Sequence, residues 1–193
     1  MKKTKQNSLK EEFNLKDKII FGTLQPNDLE HFSPIILHSY KFVMDDNTAF
    51  ILLGGHENYL KQAAELKLKN FFSFPYTEDE QKIDSFLESL DVYAHGSPMG
   101  SQMLLNLQKV LKFGIPIVSH WGNETNDQLA YTVGSAGVIH GDPKSYCFEF
   151  WNLKKHNLYR TWRSEKAIEQ YENLVGKKIV EKNEWLDDWL VGE

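Results

Sequence analysis

Short apolar runs alternate along this chain with segments whose apolar residues recur every three or four positions, and the alternation repeats six times. Ile19-Ile20-Phe21 reads as a first strand that Gly22 closes, and the polar stretch from Thr23 to His31 reads as irregular. Ser33-Pro34 opens a helix, proline being tolerated in the first turn, with Ile35, Ile36, Tyr40 and Val43 inward. Thr48 to Leu53 is a near-continuous apolar run, as in a central parallel strand, and Gly54-Gly55 closes it. A helix from about His56 to Leu66 turns Tyr59, Leu60, Ala63 and Ala64 to one side. Asn70 to Phe74 is a third strand, which Pro75 ends. Thr77-Glu78-Asp79-Glu80 has the form of a capping box for a helix with Ile83, Phe86, Leu87 and Leu90 inward.

The stretch from Leu90 to His120 organises the rest. Asp91 to His95 reads as a strand, and Gly96, Ser97, Pro98 and Gly100 break it. From Ser101 to Phe113 the apolar residues fall at Met103, Leu104, Leu107, Val110 and Leu111, the helical spacing. Gly114 stands where a left-handed helix stop belongs, Pro116 follows, and Ile115 to Ser119 is a second short strand. This is a βαβ unit, whose strands are parallel and whose crossover is right-handed. Beyond it come a turn at His120-Trp121-Gly122-Asn123, a short helix around Asp127 to Tyr131 and a strand at Val138 to His140. Asp142-Pro143 starts a helix with Tyr146, Phe150 and Leu153 on one face. Asn157 to Val191 is helical in pattern, with one or two breaks near Gly176, and Ser8-Leu9-Lys10-Glu11 caps a short helix at the start. The rhythm predicts an α/β fold, a Rossmann-like doubly wound parallel sheet of about six strands. Residues 1–193 form one domain, with a linker and short helix over 1–16 and C-terminal helices over 157–193.

Composition narrows the partners. The 193 residues suffice for one sizeable core. A net charge of −5 counts against nucleic acid or an anionic membrane as a bulk partner. Lys2, Lys3, Lys5 and Lys10 read as a solvated terminal tail. Cys147 is the only cysteine, so no disulfide can form within the chain, and a reducing compartment fits. No apolar run approaches a transmembrane span and no signal-peptide core opens the chain, so a cytoplasmic protein is expected.

Candidate chemistry gathers at the loop before the central helix. Free N–H groups at a helix start, and the helix dipole, favour an anion. Gly96 and Gly100 leave room for a ligand to approach the backbone. His95 either donates to a phosphate or sugar hydroxyl or is a satisfied structural residue. Ser97 either contacts a phosphate or caps the loop. Ser101 and Gln102 offer a hydroxyl and N–H groups to an anion, while an N-cap accounts for them as well. Tyr76 is an aromatic able to stack, and Phe74 reads as core packing. His120, Trp121 and Asn123 sit where a ligand contact or an ordinary turn would serve. His56 with Glu57, and His31 with His38, give no closed set of metal ligands, so no metal is expected, nor a cofactor. Cys147 reads as a small core residue.

The order of elements resembles the C-terminal, donor-binding half of two-domain GT-B glycosyltransferases, close to the family called group 1, from about Ser8 to the end. Ser8 to Gly22 is similar to its linker and first strand, and Phe50 to Gly55 to its second strand and glycine turn. Phe71 to Leu90 is similar to its third strand and helix, and Asp91 to Ser119 to the signature segment. The family signature is a glycine and a glutamate, seven residues, a second glutamate, and a later glycine, one residue and a proline. Gly100, Gly114 and Pro116 match in register, while Ser101 and Lys109 stand where the glutamates belong. The family uses the first glutamate on hydroxyls of the transferred sugar and the second on the ribose. It also places an arginine and a lysine on the diphosphate after the first strand, and Thr23 to Pro34 contains neither. Each lost charge-assisted hydrogen bond costs on the order of 1.5–3 kcal/mol, roughly ten- to a hundredfold in affinity.

The resemblance implies a donor-binding set of Gly54, Gly55, Tyr76, His95, Gly96, Ser97, Gly100, Ser101, Gln102, Met103 and Lys109, with Tyr76 near the base. It implies transfer of a sugar from a nucleotide-diphosphate sugar to a hydroxyl, with an N-terminal GT-B half or a partner subunit completing the site. A non-catalytic GT-B-like binding or regulatory module, paired with a glycosyltransferase, is the alternative that the missing glutamates favour. Half of a sugar-nucleotide epimerase is a third reading that shares the architecture.

Overall fold

A computed structural model describes residues 9–96, 101–120 and 127–190, the side chains of 101–105, 127–128 and 177–190 excepted. Six strands, β1 (Ile19–Gln25), β2 (Thr48–Gly54), β3 (Phe71–Phe74), β4 (Val92–His95), β5 (Ile117–His120) and β6 (Gly137–His140), form one sheet in the order β3-β2-β1-β4-β5-β6. Every pairing is parallel. The helices are α1 (Leu9–Glu12), α2 (Pro34–Val43), α3 (Asn58–Glu65), α4 (Glu80–Glu88), α5 (Ser101–Lys112), α6 (Asp127–Val133), α7 (Pro143–Lys155) and α8 (Asn157–Leu190). The expected doubly wound fold is present, and the strand order reverses between β1 and β4.

Strand alternation builds two cores, one on each face of the sheet. Ile20, Leu24, Ala49, Ile51, Leu53, Tyr93 and Ile117 meet α4, α5, α6 and α8 through Phe86, Leu107, Leu111, Leu129, Val133 and Ala167. Phe21, Phe50, Leu52, Val92, Ala94 and Val118 meet α2, α3 and α7 through Ile36, Tyr40, Tyr59, Tyr146 and Phe150. Phe21 and Phe150 stack with ring centroids 4.9 Å apart.

Gly22 does not close the first strand. A Cβ there would lie 2.6 Å from the Leu90 side chain and 2.7 Å from the Ile51 carbonyl oxygen, so the glycine admits close packing inside a strand that runs on to Gln25. Thr23 and Gln25, expected in an irregular stretch, are fully buried. β1 pairs with β2 over its whole length but with β4 only through Phe21↔Val92 and Gly22↔Tyr93. Past that point the Tyr93 hydroxyl takes the place of a neighbouring backbone, donating to the Leu24 carbonyl at 3.1 Å and receiving the Leu24 N–H at 3.3 Å.

Several details correct the sequence reading. Leu37 is buried on α2 while Ile35 is half-buried. On α3 the inward residues are Tyr59, Gln62 and Ala63, with Leu60 and Ala64 outward. Tyr59 sets that face, because its hydroxyl accepts the Ser33 N–H and donates to the His31 carbonyl. The cap of α4 is Asp79, whose carboxylate accepts from the N–H groups of Gln81 and Lys82. Cys147 is half-buried, with its sulfur 3.0 Å from the Ser39 hydroxyl. The C-terminal region is one helix of 34 residues, unbroken at Gly176. The expected cap Ser8 lies outside the described residues.

The sheet has two free edges. β3 is four residues long, stops before Pro75, and has Phe13 against both Phe72 and Phe74 at centroid distances of 5.1 and 5.5 Å. At β6, Arg163 of α8 donates to the carbonyls of Ser135 and Gly137 at 2.9 and 3.0 Å. No described helix is long and apolar enough to cross a membrane.

Gly54 has φ +78°, and a Cβ on it would lie 2.2 Å from the Gln25 carbonyl oxygen. Gly54→Ala should therefore lose at least on the order of 1–3 kcal/mol in urea unfolding from backbone strain alone. Gly141→Ala, with nothing within 4 Å of the added carbon, should stay within about 0.5 kcal/mol of the parent.

Candidate functional site

The carboxyl ends of the strands form one rim: Gln25, Gly54, Phe74, His95, His120 and His140 end β1 to β6 in turn. Three consecutive strands thus end in histidine. His120 pairs in register with His140, and His95 with Ser119. Gln25 and His95 flank the β1–β4 split, where crevices of open parallel sheets collect ligands, and His120 and His140 lie one and two strands beyond it.

Among the described residues, several polar atoms are buried here without partners, against the general rule that such groups are satisfied. His95 is fully buried, and both its ring nitrogens lack a hydrogen bond. The Ser119 hydroxyl and the Nε2 atoms of His120 and His140 are in the same condition. Burial pushes the His95 imidazole down to about 4, helped by His31, so it is neutral near neutral pH with one donor and one acceptor nitrogen. Burial also lowers His120, with Asp142 opposing and His140 assisting. Its ring meets Tyr146 edge-on at 6.1 Å, and the Tyr146 hydroxyl donates to the His95 carbonyl at 3.1 Å. Across the split, Gln25 Nε2 donates to the Thr23 hydroxyl at 2.7 Å.

The glycines have protein neighbours. A Cβ on Gly96 would lie 2.6 Å from the Ser33 hydroxyl, so the open space expected beside it is occupied by α2. Gly54 and Gly55 both have positive φ, and added carbons would meet the Gln25 carbonyl and the Tyr59 ring. The loop residues Ser97 and Gly100, and Trp121 and Asn123, lie outside the described residues. Ser101, Gln102 and Met103 form the first turn of α5, so their backbone N–H groups sit at its amino end.

Tyr76 is half-buried and borders two cavities. One, of about 400 Å³, is lined by Leu9, Leu53, Phe74, Pro75 and Phe86 among others. The second, of about 390 Å³, is lined by Leu24, Glu78, Glu80, Ile83, Asn106 and Lys109. Lys109 reaches from α5 to α4, donating to both Glu80 carboxylate oxygens at 2.7 Å. Sequence reading missed Glu80, hidden in a helix start, and Asn106, Ser119 and His140. The histidine ending each of three apolar runs was the available signal. Among the described residues no group of three or more side chains could hold a metal ion.

Known structures share this architecture. The C-terminal domain of a group 1 glycosyl transferase, LpcC from Francisella tularensis, superposes with TM-score 0.69 at 9% identity, over 88% of this chain and 93% of that one. The chain has the fold of a GT-B glycosyltransferase C-terminal half. HepE (Alr3699) of Anabaena in complex with UDP-glucose matches at TM-score 0.69 and 13% identity, over 91% of this chain and 51% of HepE. TarM of S. aureus in complex with Fondaparinux, α-GlcNAc-glycerol and UDP matches at TM-score 0.70 and 15% identity, over 96% of this chain and 37% of TarM. The chain thus spans about half the length of HepE. No protein-family profile and no curated protein sequence matches it.

Because His95 binds its proton at about 4 when folded and near 6.5 when unfolded, the unfolded chain takes up the proton first as pH falls. Stability should be unaffected by His95 above about pH 6.5 and drop by up to about 3 kcal/mol towards pH 4. Urea unfolding across that range should show this limb. His95→Leu should flatten it and, by removing two unpartnered nitrogens, leave stability near about pH 7 equal or higher.

Proposed function

We propose that this chain is the donor-binding half of a glycosyltransferase-like protein, taking a nucleotide-diphosphate sugar at the carboxyl rim of its sheet. The observation that carries this is a set of buried polar atoms with no partner among the described residues, on His95, Ser119, His120 and His140, at the carboxyl ends of β4, β5 and β6. A diphosphate there meets the N–H groups opening α5, and the helix dipole favours its charge. Neutral His95 and Ser119 are donors in reserve for phosphate or sugar oxygens. The likeness to HepE, whose structure holds UDP-glucose, supports the reading.

In the reaction, an acceptor oxygen bonds to the sugar's anomeric carbon while the carbon–oxygen bond to the diphosphate breaks. The nucleoside diphosphate leaves with the bonding electrons, and the hydroxyl proton passes to solvent. Amides at the start of α5 stabilise the charge that develops on the leaving group. An N-terminal half or a partner subunit supplies the acceptor side. A chain whose one cysteine is Cys147 has no internal disulfide to lose in a reducing compartment, which accords with a cytoplasmic location.

One observation favours a second reading. Ser101 and Lys109 stand where the resembling family has carboxylates, and Lys109 is tied to Glu80. A binding module that keeps the crevice and regulates a glycosyltransferase without transferring sugar accommodates both.

Thermal unfolding with UDP-, GDP- and ADP-sugars tests the binding. At a ligand concentration of about 100 times Kd the stabilisation is about 2.7 kcal/mol, which raises Tm by roughly 5–10 °C in a domain of this size. Ser101→Asp should abolish that shift by repelling the diphosphate, while the ligand-free Tm holds or rises because a helix start favours a carboxylate. No shift with any nucleotide sugar would overturn the proposal. Sugar transfer by this chain alone would overturn the need for a second half.

A further inference from the structure

The polar cavity beside Tyr76 contains an ion pair that folding does little to explain. Glu80 opens α4 and Lys109 lies near the end of α5, with β4 between the two helices. The side chain of Glu80 is 69% exposed and that of Lys109 30%, and exposed pairs contribute little to stability. Yet Lys109 donates to both oxygens at 2.7 Å, fixing the carboxylate at the mouth of the cavity. An ionised carboxylate has about four acceptor positions, so the amine leaves roughly two. Two neighbouring hydroxyls on one ring present a matching pair of donors.

Charge and spacing agree with a neutral ligand group. Glu78 and Glu80 against Lys109 leave the cavity with one net negative charge, which repels a phosphate and accepts hydroxyl donors. The anion-favouring end of α5 is Ser101, eight residues from Lys109, or on the order of 12 Å along the axis. On the other side Tyr76 leads to the cavity lined by Phe74, Pro75 and Phe86 together with Glu12 and Lys82, where the aromatic rings suit a planar ligand ring. Helix start, carboxylate and aromatic-lined cavity together offer the three kinds of contact that a ribonucleoside diphosphate requires.

We infer that Glu80, from α4, accepts the vicinal ribose diol of the bound nucleotide, and that Lys109 is a positioning residue which holds the carboxylate in place without itself binding the sugar. This rests on the diphosphate reading above and adds to it a choice of ribonucleotide.

The test is calorimetric titration of UDP, GDP and ADP and of their 2′,3′-dideoxy counterparts. The parent chain should bind the ribo form of at least one at least about tenfold more tightly than the dideoxy form, corresponding to the loss of one good hydrogen-bonded contact. Glu80→Gln should shrink that ratio severalfold while binding the dideoxy form as the parent does. Lys109→Met should weaken only the ribo form, and Lys109→Arg should restore it. Equal binding of the two forms by the parent, or an undiminished ratio in Glu80→Gln, overturns the assignment of Glu80 and leaves the diphosphate site standing. No binding of any of the six nucleotides overturns both.

Discussion

The fold's working geometry depends on one tyrosine hydroxyl. β1 and β4 are neighbours for only two residue pairs, and beyond them β1 continues for three residues with no strand on that side. Leu24 would then have a backbone N–H and carbonyl buried without partners, each costing about 1–3 kcal/mol. The Tyr93 hydroxyl satisfies both at once. Burial pushes its ionisation up to about 12, so it keeps the proton it donates. The two strands can separate at the reversal of strand order without exposing unsatisfied backbone.

Around that opening the chain keeps polar side chains where hydrophobic ones would pack with less penalty. Thr23 and Gln25 satisfy each other, whereas His95 and Ser119 do not. A sequence selected only for stability gains nothing from an unpartnered imidazole inside a core, and its neutrality under ordinary conditions reflects that cost. The contrast between satisfied and unsatisfied groups within one rim separates scaffolding from candidate ligand contacts more sharply than residue type does.

Much of the architecture was legible because both periodicities were clean. The near-continuous run of β2 and the spaced Leu107, Val110 and Leu111 of α5 left little ambiguity, and Gly114 does adopt positive φ as a helix stop. What sequence concealed was tertiary. Gly22 looks like a terminator in isolation and becomes a packing device only when Leu90 and Ile51 are beside it. Leu60 looks inward by hydrophobicity, but Tyr59 is anchored by two backbone contacts and turns Gln62 in instead. Glu80 looked like part of a capping box, and its contact with Lys109 joins residues 29 apart in sequence. Topology directed the candidate residues to the carboxyl rim of the sheet, while the pairing of α4 with α5 through Glu80 and Lys109 needed three dimensions.

The treatment of the sheet's two outer strands also bears on how this protein behaves in company. A parallel sheet ends in rows of unpaired amides and carbonyls, which invite a strand from another molecule. Here β3 is too short for a long seam, Pro75 halts it and Phe13 roofs its aromatic face. At the opposite margin Arg163 occupies carbonyls of Ser135 and Gly137 with a charge that disfavours an incoming chain. An aromatic-rich flank is thereby shielded from pairing with the strand of another chain, which lowers the risk of edge-to-edge polymer growth.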